Sequence, residues 1–409
     1  MARVYRIAMV AACPFPTSQG SQVLIRQLAE TLAARRHAVH LVTYHLGEPA
    51  AAAPAGVQLH RAPAVPGYRK LGSGPAWGKL WLDLLLLLTL WRVVRREAVD
   101  VIHAHNYEAL LIGWLVGRLT GVPVVYHSHN VMAAELPTYF RSAWARRAAA
   151  GLARLLDREL PRRAQACLAL SPEAVEFYAA HGVAAERLWL VPPGIEFGEP
   201  PAGAAEAARL RHGLGAGPLV IYTGNLDQYQ RVAALVRGFE RVRAAAPAAQ
   251  LVIASHGSAG DYQAVLAEAG PAPGVRFVRS ASFEETRALL LAAEVAVCPR
   301  MACFGFPIKL LNYMAAGKAV VAARGSAKGL RHLENGYVAE DDEALMAGVV
   351  QLLEQPAMAA RLGAAARLTV ETRFHWGHAA REIERCYASL TGERAEPALA
   401  EGRLGRANF

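Results

Sequence analysis

Two kinds of stretch alternate along this chain: short apolar runs closed by polar or glycine-bearing clusters, and longer segments whose apolar residues recur three and four apart. The first kind reads as a buried strand and the second as a helix with one apolar face. Ile7 to Ala12 is the first such run. The loop CPFPTSQGSQ follows it, and Val23, Leu24, Leu28 and Leu32 then mark a helical face before the run Ala38 to Thr43. Strand, loop, helix, strand is the opening of a doubly wound domain, and it places the loop, with Gly20 and Ser21, at the ligand edge of a parallel sheet. From Val99 the alternation resumes. VDVIHAH predicts a strand, Tyr107 to Leu119 a helix, VPVVYHSHN (Val122 to Asn130) a strand, and ACLALSPEAVEFY a strand followed by a serine-capped helix.

The second half repeats the scheme. PLVIYTGNLDQYQ predicts a strand ending at Gly224 and Asn225, Val232, Leu235, Val236 and Phe239 mark the next helix, and LVIASHG, VRFV, VAVC and AVVA are buried runs separated by helical segments. Between the halves, the prolines and glycines of RLWLVPPGIEFGEPPAGAAEA mark a hinge near residues 192–205. The expected organisation is therefore α/β, with two Rossmann-like doubly wound domains, residues 1–195 and 205–375, facing a crevice where ligands bind. A C-terminal helix (376–391) follows, and the tail 392–409 is expected to be disordered.

One stretch, Cys303 to Gly329, concentrates candidate chemistry. It predicts a loop, a helix opening at Ile308, a glycine stop at Gly317 and the strand Ala319 to Ala322. A helix N-terminus beside a glycine-bearing loop offers unpaired N–H groups and a dipole that suit a phosphate. Lys309 in the first turn opposes that dipole unless an anion is bound there. The chain has five lysines, and three of them (Lys309, Lys318 and Lys328) fall in this stretch. A solvated helix end is the plain alternative.

Composition narrows the setting. At 409 residues, 54% hydrophobic and 19% charged, the chain is globular and of two-domain size. Residues 1–200 carry 21 basic against 14 acidic residues, so most of the formal +10 lies in the first half. A basic half suits an anionic membrane surface or nucleic acid, but no zinc-finger spacing, RNP-like strand or basic heptad region supports the latter. Five cysteines with no CxxC pair suit a reducing, cytoplasmic compartment. The N-terminal apolar run is shorter than a signal peptide uses.

Two segments of the first half bear on a membrane. LWLDLLLLLTLW (Leu80 to Trp91) is flanked by Arg69, Lys70 and Lys79 before it and by Arg92, Arg95 and Arg96 after it, with tryptophans at 77, 81 and 91. It is too short to span a bilayer, and it reads either as a headgroup-layer segment or as a core helix with solvated ends. The segment Arg141 to Arg163 carries seven arginines and an apolar stripe through Trp144, Leu152, Leu155 and Leu156. It is a second membrane face or a solvated helical face.

His103 and His105, and His127 and His129, are spaced to share one side of a strand. Three uses stand open: a four-histidine metal site, which lacks a supporting acidic or cysteine partner; one histidine at a strand end facing the ligand; or structural histidines.

Taken in order, FPTSQGS, DVIHAHN, PVVYHSHN, LSPEAVEFY, VPPGIEF, YTGNL, FGFPIKLLNYMAAGKAVVA and ENGYVAE give the chain a family resemblance to about Leu390. It resembles a retaining glycosyltransferase of the two-Rossmann-domain (GT-B) type, family 4, the group 1 glycosyl transferases. The resemblance implies a nucleotide-sugar donor on the second domain and a glycan or lipid-linked acceptor on the first. It implies that His129 contacts the donor sugar and that Gly20 and Ser21 approach the donor phosphates. Around the donor it implies Gly224, Asn225, Gln230 and Arg231 from one loop, and Phe304, Gly305, Phe306, Lys309 and Asn312 from another.

The chain departs from the family at the charges. The family's phosphate-binding arginine and lysine fall on Asn225 and Gln230, and its two glutamates on Phe304 and Asn312. Asn312 keeps the capacity to hydrogen-bond a ribose hydroxyl, and Lys309 or Arg231 is expected to supply the missing positive charge. No Asp-x-Asp motif sits in a plausible loop, so neither a metal nor any other cofactor is expected; helix N-termini and basic side chains would meet the leaving-group charge. The expected function is hexosyl transfer in cell-envelope glycan or glycolipid synthesis, on the cytoplasmic side of the membrane. A non-catalytic sugar-nucleotide- or lipid-binding subunit of the same fold is the alternative, and a sugar-nucleotide epimerase fits the histidine and the loop at Lys309 less well.

Overall fold

The computed structural model describes residues 3–17, 20–47, 54–65, 68, 78–140, 142–196, 198, 201–280 and 282–392. The tail expected to be disordered lies outside these beyond residue 392, as do Arg69, Lys70, Trp77 and Arg141. The chain forms two compact units. The first runs up to Gly194 and takes in Phe304–Phe306 and the chain from Trp376; the second holds most of the residues between Ile195 and His375.

The first unit is built on one seven-stranded sheet: β1 (Arg6–Ala11), β2 (Ala38–Thr43), β3 (Val57–Arg61), β4 (Val101–His105), β5 (Val124–Ser128), β6 (Ala166–Ala169) and β7 (Leu188–Leu190). Its order is β3-β2-β1-β4-β5-β6-β7, and every pair is parallel. Helices α1 (Gly20–Ala34), α2 (Lys79–Arg96), α3 (Asn106–Thr120), α4 (Met132–Glu135), α5 (Ala143–Glu159) and α6 (Pro172–Ala180) connect the strands. The central strands are buried almost throughout because both sheet faces are covered. Ser171 caps α6 by accepting from the Ala174 N–H at 3.2 Å, as its place in the sequence predicts.

The second unit has six parallel strands in the order β10-β9-β8-β11-β12-β13. They are β8 (Leu219–Thr223), β9 (Gln250–Ser255), β10 (Val275–Arg279), β11 (Val295–Cys298), β12 (Ala319–Ala323) and β13 (Tyr337–Ala339). Its helices are α7 (Ala204–Arg211), α8 (Val232–Ala245), α9 (Ala259–Ala269), α10 (Phe283–Ala292), α11 (Ile308–Ala315), α12 (Asp342–Glu354) and α13 (Pro356–Arg373). Gly317 ends α11 at φ 66, a left-handed conformation that glycine adopts without cost. The last helix, α14 (Trp376–Leu390), returns to the first unit. Its Glu384 pairs with Arg35 at 2.6 Å and His37 at 2.9 Å, and the Trp376 indole donates to Gln27 at 3.2 Å.

The α2 segment packs one face in the core, as the core-helix reading expects, and leaves the other exposed. Leu82, Leu86, Leu90, Val93 and Val94 are buried in the core, while Leu80, Trp81, Leu84, Leu88 and Trp91 are exposed. Asp83, which interrupts the apolar run, accepts a hydrogen bond from the Tyr44 hydroxyl, and burial holds its carboxyl above the ordinary value. On α5 most of the expected apolar stripe faces outward: Trp144 is 79% exposed and Leu152 and Leu155 are more than half exposed, while Leu156 packs against the core. The buried side is Ala149, Ala153 and Asp157, the last accepting from the Met132 and Ala133 N–H groups at 2.9 and 2.8 Å. Among the described residues, no helix is long and apolar enough to cross a membrane.

β4 and β5 carry a buried histidine layer. The predicted strand over Val122 to Asn130 is shorter in the structure, so His127 lies within β5 and His129 just past its end. The rings still stack, His103 on His105 at 4.7 Å and His127 on His129 at 5.3 Å. His103 Nε2 lies 3.0 Å from His127 Nδ1, and His103 Nδ1 lies 2.5 Å from the Tyr387 hydroxyl of α14. Burial pushes His103 down to about 3 and His129 to about 4, and holds His105 and His127 well below the ordinary value.

These histidines stay neutral in the folded chain and take up protons near pH 6.5 once unfolded. Their contribution to stability is therefore complete above about pH 6.5. It is lost as the pH falls towards 4, by about 1.4 kcal/mol per pH unit for each histidine involved. Urea melts at pH 7.5 and pH 5 should show the loss, and His127→Gln should flatten the dependence; an unchanged slope would refute the linkage.

Candidate active site

In both sheets the strand order reverses beside the first strand, between β1 and β4 and between β8 and β11. Loops leaving the carboxyl ends of two such strands part to opposite faces, and ligands bind in the gap between them. In the second unit these loops run from β8 to α8 and from β11 to α11, and they carry Gly224, Asn225, Gln230 and the approach to Lys309.

Lys309 is the centre of this group. Its ammonium donates to the Tyr222 hydroxyl at 2.6 Å and to Gln230 Oε1 at 3.0 Å, and lies 4.0 Å from the Tyr222 ring centroid. Gly224, at φ 127, makes room for it: a Cβ there would sit 2.7 Å from Lys309 Nζ. Burial lowers Lys309 to about 8; among its charged neighbours Arg300 pushes it down, and Asp227 pushes it up. The Tyr222 hydroxyl in turn donates to the Asn225 carbonyl at 2.7 Å, and the Asn225 amide donates to Asp227 at 2.6 Å and Tyr229 at 3.0 Å.

Arg231 does not join this group. It adopts a left-handed conformation ahead of α8, and its guanidinium pairs with Asp342 on the α12 side. Of the two residues expected to supply positive charge, Lys309 is the one beside Gln230. Asn312 lies one turn farther along α11, half-buried, with no side-chain hydrogen bond among the described residues.

In the first unit, Gly20 is the first residue of α1 and a Cβ there would meet nothing within 4 Å, while Ser21 donates to Gln22 at 2.9 Å. His129 is buried, and its Nε2 lies 3.0 Å from His105 Nδ1. His103, His105 and His127 each offer a nitrogen within 4.8 Å of the others, a set able to hold a metal ion. The contacts are equally met by neutral tautomers: Tyr387 donates to His103, and His103 Nε2–H donates to His127. Phe304–Phe306 pack with this unit, where Ser171 donates to the Phe304 carbonyl at 2.7 Å and Phe177 lies 5.3 Å from the Phe304 ring. Gly305 is required there, since a Cβ would sit 2.1 Å from the His129 carbonyl oxygen.

Sequence reasoning missed Tyr222, Tyr229 and Arg300. Tyr222 reads as one more apolar strand residue, and Tyr229 as loop. Arg300 had a usable signal, since it follows VAVC by two residues at the carboxyl end of a strand flanking the reversal.

Residues 19–194 match the family described as glycosyl transferase 4-like domain, and residues 217–355 the glycosyl transferases group 1. The chain is 28% identical over 413 residues to the phosphatidyl-myo-inositol mannosyltransferase of Mycobacterium tuberculosis, covering 97% of this chain and 100% of that one. Among solved structures it resembles sucrose-phosphate synthase from Thermosynechococcus elongatus, with a TM-score of 0.78 and 21% identity, over 94% of this chain and 99% of that one. Anabaena HepE in complex with UDP-glucose matches with a TM-score of 0.70 and 17% identity, over 94% of this chain and 100% of that one. The two doubly wound sheets, the reversal in each and the two family matches agree: the chain belongs to the group 1, family 4 glycosyl transferases and is a glycosyltransferase of the GT-B fold.

Proposed function

We propose that this enzyme moves a hexose from a nucleotide sugar to a lipid-linked or glycan acceptor, with retention and without a metal, in cell-envelope glycan or glycolipid synthesis. The observation that carries the reading is Lys309, a half-buried cation held by Tyr222 and Gln230 at the start of α11 and at the strand-order reversal. An ammonium and a helix N-terminus together suit the phosphates of a nucleotide sugar and the charge that grows on the leaving group. Two similar proteins point the same way, one a phosphatidyl-myo-inositol mannosyltransferase and one seen in complex with UDP-glucose.

In this reading the second domain (205–375) holds the donor and the first (1–195) the acceptor. His129 contacts the donor sugar as a neutral imidazole, so its role is a hydrogen bond and not proton delivery. Attack on the face from which the phosphate leaves would let a phosphate oxygen take the acceptor proton, with the protein supplying orientation and electrostatics.

The acceptor is assigned to a membrane on the strength of the exposed faces of the first unit. Trp81, Leu84, Leu88 and Trp91 of α2 are exposed beside Arg92, Arg95 and Arg96, and Trp144, Leu152 and Leu155 of α5 are exposed among arginines. Apolar side chains with basic flanks suit peripheral attachment to an anionic, cytoplasmic leaflet.

A panel of nucleotide sugars assayed for hydrolysis and transfer tests the activity, and no turnover with any would refute it. Lys309→Ala should weaken donor binding by about 1.5–3 kcal/mol. In the wild type, affinity should fall as the pH rises through about 8, because the neutral amine loses its attraction for phosphate; calorimetry reads both. His129→Ala should lower turnover far more than donor affinity, since contacts to the reacting sugar act mainly in the transition state. Greater damage from His127→Ala would reassign the role. For the membrane, co-sedimentation with anionic liposomes should exceed that with neutral ones and fall with salt, leaving an apolar residue of binding. Absence from both pellets would favour a soluble acceptor.

A further inference from the structure

Arg300 follows β11 by two residues, in the loop that leads to α11. It is 8% exposed, its Nε donates to the Ala302 carbonyl at 2.8 Å, and its guanidinium lies 4.7 Å from the centroid of the Tyr229 ring. Tyr229 is tied to Asn225, Asn225 to Tyr222 and Tyr222 to Lys309, so the two cations stand at the ends of one short chain of contacts. Among the described residues, no carboxylate lies within 4 Å of either cation; the nearby Asp227 is engaged by the Asn225 amide.

A buried and a half-buried like charge without a counter-ion are costly, since each has lost water and each repels the other. A dianionic ligand removes both costs. Arg presents a planar fork suited to two phosphate oxygens, whereas Lys acts as a point charge. The expected phosphate-binding positions, Asn225 and Gln230, carry no charge, and Gln230 Oε1 is spent on holding Lys309.

We propose that Arg300 is a diphosphate ligand of the donor site, acting with Lys309 as the anion receptor that Asn225 and Gln230 cannot form. The proposal rests on the reading of the enzyme as nucleotide-sugar-dependent. Arg300 would take the phosphate oxygens on its terminal nitrogens while Tyr229 holds the guanidinium plane. The site therefore selects a nucleoside diphosphate over the corresponding nucleoside by charge.

Calorimetry of the full chain with UDP, GDP and ADP, and with the matching nucleosides, tests this. Arg300→Gln should weaken binding of the preferred diphosphate at least about tenfold and leave the nucleoside unchanged, the size expected for a lost charge-assisted hydrogen bond. Arg300→Lys should recover part of the affinity, and circular dichroism should show both variants folded. Should Arg300→Gln fail to fold, Arg300→Lys alone decides, because loss of the fork should still weaken diphosphate binding. Diphosphate affinity equal to wild type in a folded variant overturns the proposal alone. Failure of the wild-type chain to bind any of the three diphosphates overturns the nucleotide-sugar reading and this proposal with it.

Discussion

A parallel sheet must be covered by helices on both faces, and a chain whose crossovers are all right-handed can do that only by reversing its direction of travel across the sheet once. This protein meets the constraint twice. The reversal between β1 and β4 and between β8 and β11 parts neighbouring loops at the carboxyl edge, and the candidate residues gather there. Tyr222 is near the end of β8, Gly224 follows it, Arg300 follows β11, and Lys309 opens the helix after that. In the first unit His105 ends β4, and His129 follows the end of β5.

The two units handle buried polar groups in opposite ways. In the first, histidines are stacked and hydrogen-bonded to one another and to Tyr387, and burial keeps them neutral. A neutral imidazole both donates and accepts, so these contacts bring in no charge, although among the described residues His105 Nε2 and His127 Nε2 meet no partner. In the second, Lys309 and Arg300 are cations that can only donate. Tyrosine rings and hydroxyls hold them in place, but these cannot neutralise them. Unbalanced charge of this kind marks a binding site more specifically than the histidine layer does.

The membrane reading shows how burial separates residues that look alike. Leu82, Leu86 and Leu90 and the exposed Leu84, Leu88 and Trp91 come from one unbroken apolar run, and the helical period sends one set inward and the other out. On α5 the same period puts Ala149, Ala153 and the half-buried Leu156 towards the unit and leaves Leu152 and Leu155 outside.

The hydrophobic period was enough to predict most of the strands and the helices between them, and together with the glycines, the prolines and the chain length it predicts the stop at Gly317 and the two-domain α/β class. A buried parallel strand has a continuous apolar run, and a covering helix has one apolar face. The strands it did not predict are the half-exposed β3 and the three-residue β7 and β13, which are too polar or too short to show a period. For the site, sequence was enough to single out Lys309, Gly224 and His129 as residue types in suggestive places. Only the tertiary structure decided that Arg231 turns to Asp342, that Lys309 rests on Tyr222 and Gln230, and that Arg300 joins it. The physical reason is that a period records which way a side chain faces within its own element. Charge compensation is a sum over residues that the fold brings together from distant parts of the chain.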